Sequence, residues 1–361
     1  MSQMPPPEGS WVPGPLGSWP QPATVQWPPP RPPRRGGALK WVLGAVALLA
    51  VIGLTVVVTL AVVGRGGGSS EEAAGGGDSD IASANDTGPV SVITDDPSCD
   101  SAMPIMALRA YQQRNGWDRR DPSIPATSWT PEIRAQYDAV ADILLKTSDM
   151  LATVATLTPH RVMRELYEQT IAYSRAYVDA IPTYVPADNN LVLVAIAAGG
   201  AINEICAAIS LGSAESRSQL VLETVSAPRY RQKIDVQSPQ MFLADGDSVC
   251  GEWSQAWSTF QDETAEWRRT NPNIPESEWS SRQRSLNKEV APIMMRFADQ
   301  MQAIAAQSSN DIFRDFGNLA AQYRRAYVRA LPSYSPTDRH LAATSQRLSG
   351  VIEAACRASA R

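Results

Sequence analysis

Four cysteines are the residues whose type and spacing point most directly to chemistry in this chain. They are Cys99, Cys206, Cys250 and Cys356. The second and fourth are 150 residues apart, and the first and third are 151 residues apart. All four follow a long apolar run, and an even number of cysteines confined to one side of a membrane predicts two disulfide bonds.

The other residue types that commonly perform catalysis do not form a recognisable catalytic pattern in this sequence. The two histidines, His160 and His340, lie near predicted helix starts, where a solvated or capping role is expected. The sequence has no metal-site spacing, phosphate-binding loop, dinucleotide fingerprint or nucleophile elbow. We therefore predict no catalytic residue, no metal and no cofactor. A pair of acids of the glycosidase type needs no local spacing, so a hydrolase stays open as an alternative.

A repeated phrase indicates an internal duplication. "AYSRAYVDAIPTYVPADNNL" at residues 172–191 returns as "QYRRAYVRALPSYSPTDRHL" at residues 322–341, with 11 of 20 positions identical. "DPSIPATSW" and "NPNIPESEW" are related by the same offset of 150. Helical periodicity dominates both copies. The sequence therefore predicts an all-α fold with a tandem duplication of a four-helix bundle: repeat 1 (98–210), a connector (211–248) and repeat 2 (249–361).

The duplication also selects one disulfide pairing out of three. Only Cys99–Cys206 with Cys250–Cys356 leaves each copy self-contained, so we expect each bundle to be closed by its own disulfide.

The repeated phrase itself predicts a helix, a rigid corner and a second helix, because prolines end the first helix. We expect Asp188 to cap the helix that follows. Arginines and aromatic residues in and near the phrase form an alternative candidate, a binding face on a groove related by twofold pseudosymmetry. The residues of this candidate face are Tyr173, Arg175, Tyr177, Tyr184, Tyr323, Arg325, Tyr327 and Tyr334. Trp253 and Trp257, one helical turn apart just after Cys250, add an aromatic candidate face for a lipid, a glycan or a partner helix.

An uncharged run predicts one transmembrane helix. Residues 41–63 contain 23 residues without a charge, enough to cross a bilayer. Four cations precede the run and one follows it, so the positive-inside rule places the N-terminus in the cytoplasm and the C-terminal part outside. The apolar segment 191–202 is too short to cross, and we expect it to be a buried packing helix.

The segments that flank the span differ in composition. Residues 1–37 hold 12 of the 28 prolines and three tryptophans, which predicts a disordered tail that could bind a cytoplasmic partner. Residues 64–97 are rich in Gly, Ser, Asp and Glu, which predicts a flexible stalk. The net charge is −5 for the chain and −9 beyond residue 65, which argues against a nucleic-acid partner.

This layout resembles the conserved single-pass membrane proteins of unknown function found in mycobacteria and related actinobacteria. A Pro-rich cytoplasmic head, one span and a domain with paired cysteines carry the resemblance, which implies a location in the cell envelope. We predict a non-enzymatic, membrane-anchored binding or adaptor protein with an envelope partner. The alternative is an anchored hydrolase, or a carrier of lipid or glycan that uses a cleft between the repeats.

Overall fold

Helices form the folded part of the chain. The computed structural model describes residues 81–113, 116–221 and 234–360, all within one compact unit, Ala74–Arg361. The regular elements of the described residues are helices only. The predicted tail (1–37), transmembrane helix (41–63), first part of the stalk (64–80) and central part of the connector (222–233) lie outside the described residues.

The same order of helices occurs in both halves. The first half contains α1 (Cys99–Gln113), α2 (Pro131–Val154), α3 (Arg161–Ala180) and α4 (Asn189–Ser210), followed by the short α5 (Ser213–Ser218). The second half contains α6 (Cys250–Glu263), α7 (Ser281–Gln307), α8 (Asp311–Ala330) and α9 (Arg339–Ser359). These are the four helices predicted for each half, and α5 is an addition within the connector.

The corner between the third and fourth helices is built in the same way in both halves. The backbone N–H of Ala126 donates to the carbonyl of Tyr184 at 2.9 Å, and Glu276 donates to Tyr334 at 2.9 Å. Each tyrosine thus ties the loop that precedes the second helix to the corner that follows the third. The hydroxyl of each tyrosine also donates to that loop, Tyr184 to the Pro122 carbonyl at 2.7 Å and Tyr334 to the Pro272 carbonyl at 2.6 Å, so both halves use the same side chain at this position.

Capping residues agree with the sequence at the second helix of each half and differ at the fourth. The hydroxyls of Thr130 and Ser280 accept hydrogen bonds at the starts of α2 and α7. The prediction that Asp188 caps α4 is wrong, because a 3₁₀ turn, Pro186–Asp188, runs directly into that helix. Its carboxylate instead accepts the backbone N–H of Val185 at 2.9 Å, and Asp338 acts alike in the second half.

One disulfide in each half joins the first helix of that half to its fourth helix. They are Cys99–Cys206 and Cys250–Cys356, both with a Cα–Cα distance of 5.5 Å. This pairing is the one that leaves each half closed on itself.

Helices α4 and α9 form the most extensive contact between the halves. They run antiparallel, because Gly200 faces Arg347 while Gly350 faces Ala197. A Cβ atom at Gly200 would lie 2.9 Å from the Arg347 Cδ atom. The absence of a side chain at Gly200 therefore makes room for an arginine of the other half.

Among the described residues, one helix is long and apolar enough to cross a membrane by length and composition. It spans Pro186–Ser210 and includes α4, and 61% of its apolar window is buried inside the protein. Core helices of soluble domains meet the same criterion. The segment 191–202 packs between α3 and α9, in agreement with the expectation of a packing helix.

Two extended arms cross between the halves. The arm of the first half, residues 81–97, belongs to the predicted flexible stalk, yet it is packed: Val90, Val92 and Ile93 are at most 7% exposed. The Ile93 N–H donates to the hydroxyl of Tyr323 on α8 at 3.3 Å. The stalk prediction is therefore wrong for residues 81–97, because apolar side chains within this polar segment are buried in the core.

The arm of the second half, residues 234–249, makes the reciprocal contact with the first half. The backbone N–H of Phe242 donates to the side-chain oxygen of Gln169 on α3 at 3.0 Å. The Phe242 ring contacts both Tyr173 of the first half and Phe316 of the second. Each arm therefore bridges its own half and the other one.

Candidate functional site

Most of the residues predicted as an aromatic binding face are buried. Eight of them are at most 5% exposed: Tyr173, Tyr177, Tyr184, Tyr323, Arg325, Tyr327, Tyr334 and Trp253. The other two, Arg175 and Trp257, are half-buried. The hypothesis of an exposed aromatic face is therefore wrong, and these rings belong to the core of each half.

The physical reason lies in how the corner closes. The rings of Tyr177 and Tyr184 meet edge to face with centroids 6.3 Å apart, and Tyr327 and Tyr334 meet in the same way at 6.1 Å. Such pairs stabilise a core beyond the area that they bury. Burial raises the pKa of the Tyr177 and Tyr327 hydroxyls, so both stay neutral.

A buried ion pair joins the two halves. The guanidinium of Arg161, at the start of α3, donates to Asp315 on α8 through Nε at 2.6 Å and Nη2 at 3.3 Å. The same side chain donates to the carbonyls of Asp86 and Gly88 in the first arm. Arg161 and Asp315 are 7% and 2% exposed. One arginine therefore holds the first arm and both halves together.

Glu165 lies one helical turn after Arg161 and completes a carboxylate pair with Asp315. Burial, followed by the charge of Asp315, raises the pKa of Glu165 well above its usual range. A raised carboxyl pKa is typical of a general acid. Here, however, Glu165 and Asp315 are 5% and 2% exposed, which denies a substrate access to either.

Metal chemistry finds no support in the part of the chain that the structure describes. No group of three or more His, Cys, Asp or Glu side chains there could hold a metal ion.

A groove of about 300 Å³ lies between α1 and α4 of the first half, with one residue from α9 at its edge. Its lining consists of Met103, Met106, Ala107, Ala110, Asn203, Glu204, Ala207 and His340. Helix α1 lies alongside α4, because Cys99 is bonded to Cys206 and the Met106 sulfur lies next to Gly199. The small alanines on both helices leave the space open.

Polar groups occupy one edge of this groove. His340 Nδ1 lies 2.7 Å from the Glu204 carboxylate, which connects the two halves. Asn203 Oδ1 and His340 Nε2 are buried and have no hydrogen-bond partner among the described residues. A buried polar atom without a partner is costly, and it is often the place where a ligand or water binds.

The second half has different residues at the equivalent positions. With the offset of 151 that relates Cys99 to Cys250, Met103 corresponds to Ser254, Met106 to Trp257 and Ala107 to Ser258. Ser254 donates to Glu353 at 2.7 Å, and Arg357 pairs with the same carboxylate at 2.7 Å. In the second half, an indole and a polar network therefore stand where the first half has methionines and alanines.

Exposed apolar side chains show the same asymmetry. All of the large apolar side chains that are exposed among the described residues belong to residues 103–220: Met103, Leu145, Met150, Leu157, Val185, Leu211 and Leu220. At the offset of 150, Met150 and Leu157 correspond to glutamines in the second half. Of these seven residues, Met103 lines the groove.

The sequence interpretation missed this groove and the role of one histidine. His340 is neither solvated nor a cap, because it lies against Glu204, which is 136 residues away. His160 is half-buried and its ring lies 2.8 Å from the carbonyl of Asp95, so its side chain does not cap α3 either. Comparing the repeats position by position, Trp257 against Met106 for example, is the signal that would have located the groove.

Comparisons with known proteins agree with the extent of the folded unit. Residues 81–361 match the family described as "Mycobacterial ESX-1 associated protein". An uncharacterized protein of Mycolicibacterium smegmatis (strain MKD8) is 47% identical over 334 residues, which cover 91% of this chain and 89% of the relative. No solved structure matches the chain significantly. The matched residues include all the helices described above, and the chain belongs to the family of mycobacterial ESX-1 associated proteins.

Proposed function

We propose that this protein is a non-enzymatic binding or adaptor protein that serves an ESX-1 secretion system at the cell envelope. It is anchored by a single span at residues 41–63, with its N-terminus in the cytoplasm and its duplicated helical domain outside. The family description supports the link to secretion. Two disulfides support an oxidising compartment outside the cytoplasm.

The observation that carries the proposal is the groove of the first half. Its apolar lining, its polar edge and the exposed side chain of Met103 are features of a surface that binds another protein. The second half derives from the same ancestral unit but has polar or larger residues at the matching positions. One half therefore supports the architecture, and the other provides the binding surface.

The alternative is an anchored envelope protein of another class. An apolar groove also suits the acyl chain of a lipid, so a carrier is the stronger rival. A hydrolase finds less support, because the raised-pKa carboxyl of Glu165 is buried between the halves.

Photo-crosslinking from paired positions tests the proposal. p-Benzoyl-phenylalanine is placed at Met103 or Ala107 in the groove, and at Ser258, the matched exposed position of the second half, as the control. We expect both groove positions to give the same protein adduct in intact cells, identified by mass spectrometry as a component or substrate of the secretion system. We expect Ser258 to give none.

Two results would contradict an adaptor role. Lipid or glycan adducts at Met103 and Ala107 would support the carrier instead. Equal adducts at Ala107 and Ser258 would show that the groove has no special role.

A further inference from the structure

We infer that the groove receives an aromatic side chain from a helix of the protein partner. This inference rests on the proposed function and specifies the chemistry of the occupant. Three observations support it: the residues that fill the same place in the second half, the unpartnered polar atoms at the edge, and the spacing of small residues along α1.

The second half acts as an internal template. There, Trp257 lies 6.3 Å, centroid to centroid, from the ring of Phe297. The equivalent residues of the first half are Met106 and Thr147. The place of Phe297 is filled in the first half by Arg109, which donates to Thr147 at 2.9 Å. At the place of Trp257, however, the smaller Met106 lines the groove in place of an indole ring. A ring supplied from outside restores an aromatic side chain to this position.

The polar edge points in the same direction. In the second half, Glu353 is satisfied by Ser254 and Arg357 of its own half. In the first half, Asn203 stands at the place of Glu353, and its Oδ1 atom has no partner in the described part. Asn203 is half-buried, so rotation of its amide presents either a donor or an acceptor to an incoming chain. Peptide and indole N–H groups offer such a donor.

The lining residues are spaced to receive a helix. Met103, Ala107 and Ala110 lie four and three positions apart on α1, which places them on one face. Ala207 and Leu211 are four positions apart at the end of α4, and Leu211 is 49% exposed. Small residues on two neighbouring helices allow a third helix to approach closely. The partner therefore presents a helix whose aromatic side chain enters between α1 and α4.

Methionine methyl NMR of the full-length chain in nanodiscs tests the occupant. The probe is N-acetyl-tryptophanamide, and N-acetyl-leucinamide is the matched aliphatic probe. We expect saturable upfield shifts of the Met103 and Met106 methyl signals with the aromatic probe, and no shift of Met150 on α2. The aromatic probe should bind with a Kd lower than that of the aliphatic probe by a factor on the order of five.

Two variants serve as matched controls. Ala107→Trp fills the groove from within and should abolish the response, whereas Ser258→Trp adds the same indole to the second half and should leave it unchanged. Both original residues are exposed, so both variants should keep the fold, which circular dichroism checks. An unchanged response in Ala107→Trp, equal affinity for the two probes, or no saturable shift would overturn the inference.

The two proposals fail in different ways. A protein adduct at Ala107 without binding of N-acetyl-tryptophanamide would overturn the aromatic occupant and retain the adaptor function. Binding of the probe together with lipid adducts at Ala107 would overturn both the protein partner and its helix.

Discussion

Removing the Arg161 side chain should destabilise the folded unit more than any other single loss of charge described above. In Arg161→Met, Asp315 loses two hydrogen bonds, of 2.6 Å and 3.3 Å, and the first arm loses its bond from Arg161 to the Asp86 carbonyl at 2.7 Å. Both partners of the ion pair are less than 10% exposed, so solvent does not screen the loss.

The magnitude follows from the burial of the pair. Breaking a buried ion pair by deleting one partner costs about 3–5 kcal/mol, because the remaining charge is left without compensation. We expect a decrease of about 4 kcal/mol in the free energy of unfolding. The double variant Arg161→Met/Asp315→Leu should recover part of this decrease, because it removes the orphaned carboxylate as well.

Urea unfolding of the full-length chain, followed by tryptophan fluorescence, measures these differences. Arg296→Met is the matched control, because Arg296 pairs with Glu263 at 2.8 Å while 51% of its side chain is exposed. Its loss should cost less than about 1 kcal/mol. A decrease below about 1 kcal/mol for Arg161→Met would refute the view that this residue fastens the two halves.

Three further predictions concern the core. Burial raises the pKa of Glu165. The stabilising contribution of its protonated form is therefore complete below the unfolded pKa of about 4.3 and declines as the pH rises through the folded pKa. In thermal unfolding, Glu165→Gln should gain stability over the wild type from pH 5 to pH 8, and a constant difference between the two would exclude this linkage. A Cβ atom at Gly317 would lie 2.7 Å from the Cβ atom of Ala305, whereas a Cβ atom at Gly251 would meet nothing within 4 Å. Gly317→Ala should therefore lower the free energy of unfolding by about 1–3 kcal/mol, and Gly251→Ala should not lower it. Equal losses in the two variants would be inconsistent with this packing. Arg109 donates to Ser174 at 2.8 Å, and the second half has Phe and Arg at these two positions. In urea unfolding, the double variant Arg109→Phe/Ser174→Arg should therefore lose at least about 1 kcal/mol less free energy of unfolding than the sum of the losses in the two single variants. Strict additivity of these losses would show that the positions are not coupled.

The sequence was sufficient to predict the helices and the corners, because both depend on local signals. Thr130 before Pro131 predicts the start of α2, and Pro182 predicts the end of α3. The offset of 150 between Cys206 and Cys356 then relates the two halves to each other. These patterns do not depend on which surfaces later meet.

Contacts between the halves could not be predicted in the same way. The pair of Glu204 and His340 and the pair of Arg161 and Asp315 join residues more than 130 positions apart. The two pairs also have no counterpart of the same residue types in the repeat: Glu204 corresponds to Ala354, for example. A single sequence contains no signal for pairs of this kind.

The groove escaped prediction because methionine and alanine on a helix are typical of core positions. Met106 is in fact 4% exposed, whereas Met103, three residues earlier, is 40% exposed. Only the absence of a large side chain beside them separates the groove from the core, and helical periodicity carries no information on that absence.

The reciprocal arms have a consequence for how this molecule arose. Residues 81–97 rest on a helix of the second half, and residues 234–249 rest on a helix of the first. Neither half would have all of its neighbours as an isolated chain, so we infer that the ancestor was a symmetric homodimer with exchanged arms. Tandem duplication of the single gene of such a homodimer frees the two copies from the identity that symmetry imposes on both protomers. One protomer could then accumulate changes for recognition while its twin kept the dimer intact.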